Sequence, residues 1–415
     1  MISKLSRREF LKRVSILGSS SLAWGLAPLN SNLAWGTTPP NLLVINFNGG
    51  SDGPGVLQPS SGVVFSTLLS LRSTLCLDPS ALLNTSDGYG FHPSVPILKS
   101  LYDESKLSCI LNVGVENMSR SHLDAEVAIA RGVSDRLTSA NSSGFLGRIG
   151  DNQGWSSGLE IVSPTGSDRA FEGATYRGVQ ANSLSTYKYK FSNGQTAKEA
   201  EYRADNLYQI SQLWQTSSDN PRIGTVLSAI DLASNTSDLV QAALSAVTFQ
   251  TSYPSTTMGR SLSDAEVLLS DQTLGTRIAY ARFGGFDTHS AQATALTSLL
   301  SQFNAAFTVF VSNMKARGLW NNLIVLIVSE FGRTNKENGS LGTDHGGANT
   351  FFVTGGLSSG GIFGEITSTD LTGNGWLPVK YNLVEVYRQV LQKMNLDPDA
   401  IVGDTVGPSL NGILT

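Results

Sequence analysis

Residues 322–329 read Asn-Leu-Ile-Val-Leu-Ile-Val-Ser, and Glu330 follows at once. Successive side chains of a strand point to opposite faces, so six apolar residues in a row need cover on both. Strands buried on both faces belong in a mainly parallel sheet with helices packed over it. The carboxylate that ends the run needs a partner, because burying it alone is costly.

The rest of the chain repeats this grammar. Residues 41–47 form an apolar run that stops at Asn48-Gly49-Gly50-Ser51-Asp52-Gly53. Further buried strands are expected over 107–113, 276–283 and 350–354, the last followed by Gly355-Gly356. Helical spacing marks 94–103, 121–131 (with Ser119 or Ser121 near its N-cap), 291–317 and 382–394. The third of these carries a stripe of Leu296, Leu299, Leu300, Phe303, Phe307, Phe310 and Met314. Residues 140–195 are rich in Gly, Ser and Asn and read as loops and short strands. The pattern is helical again over about 197–270, which reads as a helical insertion or cap. Alternating strands and helices predict an α/β layered fold, in which ligands bind beyond the carboxyl ends of the strands.

The N-terminus carries a different message. Ser6-Arg7-Arg8-Glu9-Phe10-Leu11-Lys12 matches the twin-arginine export pattern, a weakly apolar stretch follows to about Pro28, and Ala34-Trp35-Gly36 offers a cleavage site. The competing reading is an amphipathic first helix. The order of the three features favours a signal peptide over residues 1–36, a twin-arginine translocase as export partner, and a periplasmic or secreted protein. The stretch is rich in Ser and Gly and shorter than the ~20 apolar residues of a membrane span. No later segment is expected to reach that length, so no stable membrane anchor is expected. The leader holds five Lys or Arg and one Glu, so the remainder is more acidic than the whole chain's net charge of −4. With no basic run, nucleic acid is not an expected partner. Cys76 and Cys109 are the only cysteines; one disulfide or two free thiols both fit.

Three of the four histidines stand beside acids: His122 near Asp124, His289 in Asp287-Thr288-His289, and His345 after Asp344. A parallel sheet would bring these clusters, with Asp52 and Glu330, to one edge. Carboxylates gathered there repel one another unless a cation is shared. Mixed imidazole and carboxylate ligands suit zinc, manganese or iron better than calcium. Each motif also has a plainer reading. Asp52 and Asp344-His345 fit turns, Asp287 fits a helix cap before Ala291, Glu330 fits an ion pair with Arg333, and His122 fits a satisfied histidine at a helix start. His92, before Pro93, reads as structural.

Taken together, the twin-arginine leader and the motifs Asn48-Gly49-Gly50-Ser51-Asp52-Gly53, Ser119-Arg120-Ser121-His122, Gly285-Phe286-Asp287-Thr288-His289, Ser329-Glu330-Phe331-Gly332-Arg333 and Gly342-Thr343-Asp344-His345-Gly346 resemble domain-of-unknown-function family 1501, over roughly residues 40–410. This exported bacterial group is placed in the alkaline phosphatase-like superfamily. The resemblance implies an α/β/α sandwich spanning 37–415 with metal sites at the carboxyl end of the sheet. It implies hydrolysis or transfer of phosphate or sulfate esters. By that resemblance Asp52, Asp287, His289, Glu330, Asp344 and His345 are metal ligands, His122 is a further candidate, and Ser119 or Ser121 stands where a nucleophile is placed, at a helix N-terminus. Three features depart from the superfamily pattern: the short Asp287-x-His289 spacing, Phe331 where a histidine follows the acid, and no sulfatase-type cysteine motif near Ser119.

The expectation is therefore an exported hydrolase of phosphate or sulfate esters with one or two divalent ions, zinc or manganese. These would activate Ser121, Ser119 or a water, with Arg120 and Arg333 gripping the anionic group. A non-catalytic exported protein that binds a cell-surface polymer or an assembly partner is the alternative, and a transferase to a glycan or lipid acceptor is a third.

Overall fold

The computed structural model describes residues 39–137, 142–188, 209, 221–403 and 408–415. The leader, and most of 197–220, lie outside the described residues. In chain order the strands are β1 (Asn41–Phe47), β2 (Leu57–Pro59), β3 (Leu83–Asn84), β4 (Tyr89–Phe91), β5 (Leu107–Gly114), β6 (Ile161–Ser163), β7 (Val179–Gln180), β8 (Ile278–Phe283), β9 (Leu323–Val328), β10 (Asn349–Thr354), β11 (Gly361–Phe363) and β12 (Tyr381–Asn382). Nine of them make one sheet in the order β11-β5-β10-β9-β1-β8-β6-β7, with β12 paired to β5; β2, β4 and β3 form a small second sheet.

Within the large sheet β1 runs parallel to both neighbours, with Val44 opposite Tyr280 and Leu326. Only β10 is reversed, antiparallel to β9 and to β5. The reversal has a structural use. A parallel neighbour needs a crossover of a dozen or more residues back to the starting edge, whereas an antiparallel one can follow from the same edge. The segment from Ser329 to Ala348 therefore stays at the carboxyl edge of β9, and it carries Glu330, Arg333 and His345.

Side-chain alternation divides the core into two layers. Leu42, Val44, Ile110, Ile324, Leu326 and Phe351 face one cluster with Phe145, Leu146, Val386, Tyr387 and Val390 from the helices Phe145–Gln153 and Leu383–Lys393. The opposite face meets the long helix Gln292–Ala316, where the Phe47 ring packs edge-on to Phe303 at 5.0 Å and Phe303 stacks on Phe307. Leu296, Leu300, Phe303, Phe307, Phe310 and Met314 are all buried, as the stripe predicts. Each such side chain contributes about 1.5–3 kcal/mol. The result is an α/β fold with helices on both faces of a mainly parallel sheet.

One expectation is corrected here. By length and composition the helix Gln292–Ala316 could cross a membrane, although no later segment was expected to do so. Its Leu296, Leu300, Phe303, Phe307, Phe310, Val311 and Met314 are buried inside the fold.

Two compact units divide the chain. Pro39–Thr186 and Ala242–Thr415 contain both sheets; among the described residues the other unit includes Tyr187 and Gln241. Within the latter, Gln241 Nε2 donates to the Tyr187 carbonyl at 3.0 Å. The helix Thr257–Ser270, at the end of the stretch read as helical, packs on β8 and on the long helix. Its Leu262, Ala265, Val267 and Leu268 are buried.

Cys76 and Cys109 are free. Burial pushes the Cys76 thiol up to about 11 against the pull of Arg72. His92 is buried, its Nδ1 accepts from the Ser94 N–H at 3.1 Å, and burial lowers its pKa.

Gly49 fixes how closely the loops after β1 and β8 approach. Its φ is +118°, and a Cβ there would lie 2.4 Å from the Asp287 nitrogen. Replacement by Ala should destabilise the fold by roughly 2 kcal/mol or more, read from urea unfolding. Gly318 has φ +73° but open space around it; its Ala variant should cost only about 1 kcal/mol.

Candidate metal centre

Four strand ends deliver the site. The loop after β1 brings Asn48 to Asp52, the loop after β8 brings Asp287 and His289, and the β9–β10 connection brings Glu330, Arg333 and His345. His122 begins the helix His122–Arg131, which follows β5. Arg333 joins three of these segments. It is buried, with Nε donating to the Gly50 carbonyl at 2.6 Å, Nη1 to Thr343 at 3.1 Å, and Nη2 to Phe286 at 3.0 Å and to Asp287 Oδ1 at 2.5 Å. Nη2 also donates to the Gly49 carbonyl.

Around Asp287 stand three imidazoles, each anchored through Nδ1. His122 Nδ1 lies 2.9 Å from Glu330 Oε1, His289 Nδ1 lies 3.1 Å from Asp344 Oδ1, and His345 Nδ1 lies 2.7 Å from the Arg120 carbonyl. Ionised carboxylates and carbonyls only accept, so each Nδ1 carries the proton. The Nε2 atoms are then bare lone pairs, and they converge. His289 and His345 bring theirs to 3.0 Å apart. Both stand 3.0–3.1 Å from Asp287 Oδ1, and His122 Nε2 stands 3.5 Å from Oδ2. His122 Nε2 is buried without a hydrogen-bond partner. Two bare lone pairs at 3.0 Å repel each other, and both repel a carboxylate. One proton relieves one nitrogen; one divalent cation relieves all of them.

Electrostatics agree with this donor set. Burial raises the Asp287 carboxyl, but the Arg333 hydrogen bond and charge, then His345 and His289, outweigh it and hold the group at about 2. His122 is raised above its ordinary value, first by its hydrogen bond to Glu330 and against its own burial. Asp344 is lowered, first by Asn338 and then by His289. Among the described residues, His122, Asp287 and His345 bring ligand atoms within 4.8 Å of one another, and His289 adjoins them.

A family model described as "Protein of unknown function (DUF1501)" matches residues 77–409. The chain belongs to this family. No curated protein matches it. Among solved structures it is similar to alkaline phosphatase from the Antarctic bacterium TAB5, at 12% identity over 87% of this chain and 99% of that one, TM-score 0.38. It is similar to the lipoteichoic acid synthase LtaP from Listeria monocytogenes, at 10% identity over 88% and 74%, TM-score 0.37. It is also similar to PsFucS1 sulfatase from Pseudoalteromonas sp., at 11% identity over 98% and 75%, TM-score 0.36. At these TM-scores the likenesses decide nothing about chemistry.

In this DUF1501 chain the residues picked out from sequence divide by role. Asp287, His289, His345 and His122 come together. Glu330 and Asp344 do not face the cluster as ligands; they hold the histidines. Glu330 Oε1 accepts from the Gly49 N–H at 2.7 Å as well as from His122, and Oε2 accepts from Ser329 at 3.2 Å. Asp52 is engaged elsewhere: both its oxygens accept from Arg72, at 2.9 and 2.7 Å, and Oδ2 accepts from Gln292 at 2.6 Å. Arg333 cannot grip an anion, because its donors are turned inward on carbonyls and Asp287. Asp287 is not a helix cap either, since the long helix begins after Ala291, which offers no side-chain cap.

Ser119 donates to Asp124 Oδ2 at 2.7 Å. Ser121 is exposed at the N-cap and makes no capping bond. Arg120 is exposed, and its guanidinium lies 4.2 Å over the Trp376 ring. Phe331 packs against His122 and His345, at centroid distances of 5.0 and 4.8 Å.

Arg72, Gln292 and Asn338 were missed. Arg72 left no signal in the sequence. Gln292 did, since it stands four residues before Leu296 and so on the buried stripe of its helix. Asn338 Nδ2 donates to Asp344 Oδ1 and to the His289 carbonyl, at 3.1 and 3.0 Å. It lay between motifs in a segment with no periodicity.

Glu330→Gln should leave the ligands in place and weaken metal binding roughly 10–100-fold, measured by competition with a chelating dye. Protons compete for His122, whose pKa is raised, so bound metal should fall away as pH drops, beginning above 6.5. In Glu330→Gln that loss should move to lower pH. Without metal the sign follows a raised base. The His122–Glu330 contact stabilises the fold fully below 6.5 and fades as pH rises through the raised value. Urea unfolding of metal-free protein at acid and alkaline pH reads this directly.

Proposed function

We propose that this DUF1501 protein is an exported, metal-dependent hydrolase of phosphate or sulfate esters. The observation that carries the reading is the 3.0 Å approach of His289 Nε2 to His345 Nε2, with both Nδ1 atoms already bonded outward. A neutral imidazole so oriented by a second partner is the usual form of a metal ligand. His122, Asp287, His289 and His345 would hold one cation, and zinc or manganese suits three imidazoles and a carboxylate.

Exposure favours a reactive centre over a structural one. The side chains of Asp287 and His289 remain 45% and 43% exposed, so the cluster is open on one side. Structural zinc sites are closed by protein ligands, while catalytic ones keep a position open. When bound, the cation supplies polarisation of the ester oxygen and a lowered pKa for the nucleophile.

The chain's own groups complete the arrangement. Arg120, exposed with its guanidinium over the Trp376 ring and its carbonyl on His345, is the arginine we assign to the anionic group. Glu330 and Asp344 keep the imidazoles in one tautomer. Ser119 is committed to Asp124, which leaves Ser121 or a water as nucleophile. The twin-arginine pattern at Ser6–Lys12 supports export of the folded, metal-loaded protein to the periplasm or beyond.

Phe331 favours a second reading, a non-catalytic exported binding protein. Its ring packs on His122 and His345 at the place where the superfamily resemblance implies a further histidine. Turnover separates the two. Protein folded in the cell should contain close to one zinc or manganese and should hydrolyse p-nitrophenyl phosphate or sulfate. Asp287→Ala and His345→Ala should lose both the metal and the turnover. Bound metal without turnover would leave the binder; no metal at all would sink the hydrolase. Turnover that depends on an added alcohol acceptor would mark a transferase.

A further inference from the structure

A cavity of about 340 Å³ lies against the helix that supplies His122. Asn46 of β1 and Arg282 of β8, which are direct neighbours across the sheet, line it together with Glu126, Asp168, Glu172 and Tyr280. Nothing in the metal chemistry uses these residues.

Their hydrogen bonds show what the cavity lacks. Arg282 Nη2 is taken by Glu126 Oε1 at 2.6 Å. The Tyr280 hydroxyl donates to Asp168 Oδ2 at 2.8 Å and accepts from Asn46 Nδ2 at 2.9 Å. Asn46 is 4% exposed, and its Oδ1 has no partner. Asp168 Oδ1 accepts from the Ala170 N–H at 2.9 Å, and burial raises the carboxyl more than that bond and the Tyr280 hydroxyl lower it. An unmet buried acceptor costs about 1–3 kcal/mol, so a group that supplies a donor there is held firmly.

The same lining excludes other ligand classes. An anion would face the carboxylates of Glu126, Asp168 and Glu172. An ammonium would satisfy the acceptors but oppose Arg282 and Arg169, the guanidinium groups on the wall. Hydroxyls donate and accept, and can serve both. The volume is at the small end of ligand pockets, which run from about 300 Å³.

We infer that this cavity binds a saccharide through paired hydroxyls, with Asp168, Asn46 and Arg282 as its polar contacts. Its position gives the site a use. Glu126 stands one helical turn after His122, about 6 Å along the axis. Asn48 Nδ2 donates to Glu126 Oε1 at 2.6 Å and lies 3.5 Å from Glu330 Oε1, the anchor of His122. The saccharide is thus the alcohol half of the ester whose anionic half goes to the imidazoles. That last step rests on the hydrolase reading; binding itself does not.

The test is binding of glucose, galactose, fucose and N-acetylglucosamine to the full exported protein, followed by saturation-transfer NMR and calorimetry. At least one should bind. Asp168→Asn should weaken it about tenfold or more, the size of one charged hydrogen bond, while metal content stays unchanged. Glu172 is exposed, so Glu172→Gln tests the same wall without threatening the fold, and it too should weaken binding. Failure of all four sugars to bind, or binding untouched in both variants, overturns the inference. If sugar binds and neither metal nor ester turnover is found, the hydrolase reading falls and the cavity stands. If metal and turnover are found and no sugar binds, the cavity falls alone.

Discussion

The Arg333 guanidinium is the contact on which the site depends. A parallel sheet delivers strand ends to one edge, but it does not fix how the loops beyond them meet. Arg333 does so by donating to carbonyls of the loop after β1, the loop after β8 and its own β9–β10 connection. Five donors in a rigid plane make this possible; a lysine ammonium, with three donors at a point, could not span it. Its charge also has a consequence for Asp287. With that carboxylate held at about 2, the imidazoles face a fixed negative charge at neutral pH.

Much of the fold was legible because the sheet is buried on both faces. Apolar runs at 41–47, 107–113 and 322–329 each became a strand, and each ended at the predicted edge. The reversal of β10 was not legible, since an apolar run of that length carries no direction. It follows from the β9–β10 connection, which has no crossover helix. At the site, the residue types and their convergence could be read, but the order of contact could not. Glu330 and Asp344 were read as ligands because a carboxylate beside a histidine has two chemically sound places, on the ion or on the imidazole. Only the 2.9 Å and 3.1 Å contacts to Nδ1 distinguish them. Asp52 was misread for a different reason. Its partner Arg72 lies in a stretch where nothing marks one arginine as buried, so the ion pair at 2.7 Å was invisible.

These reassignments change the charge of the site, and the change favours an anionic ligand. Six acidic or imidazole ligands including Asp52, Glu330 and Asp344 would set four carboxylates around the cation and repel a phosphate or sulfate group. The structure commits Asp52 to Arg72, and moves Glu330 and Asp344 behind histidines. One carboxylate and three neutral imidazoles remain. A divalent cation held by that set would keep a net positive charge on its open side. The carboxylates that do remain nearby, Glu126 and Asp168, line the neighbouring cavity, where they favour hydroxyls over anions. Under the proposed function, the charged end of an ester would lie at the imidazoles and its hydroxylated end in this cavity.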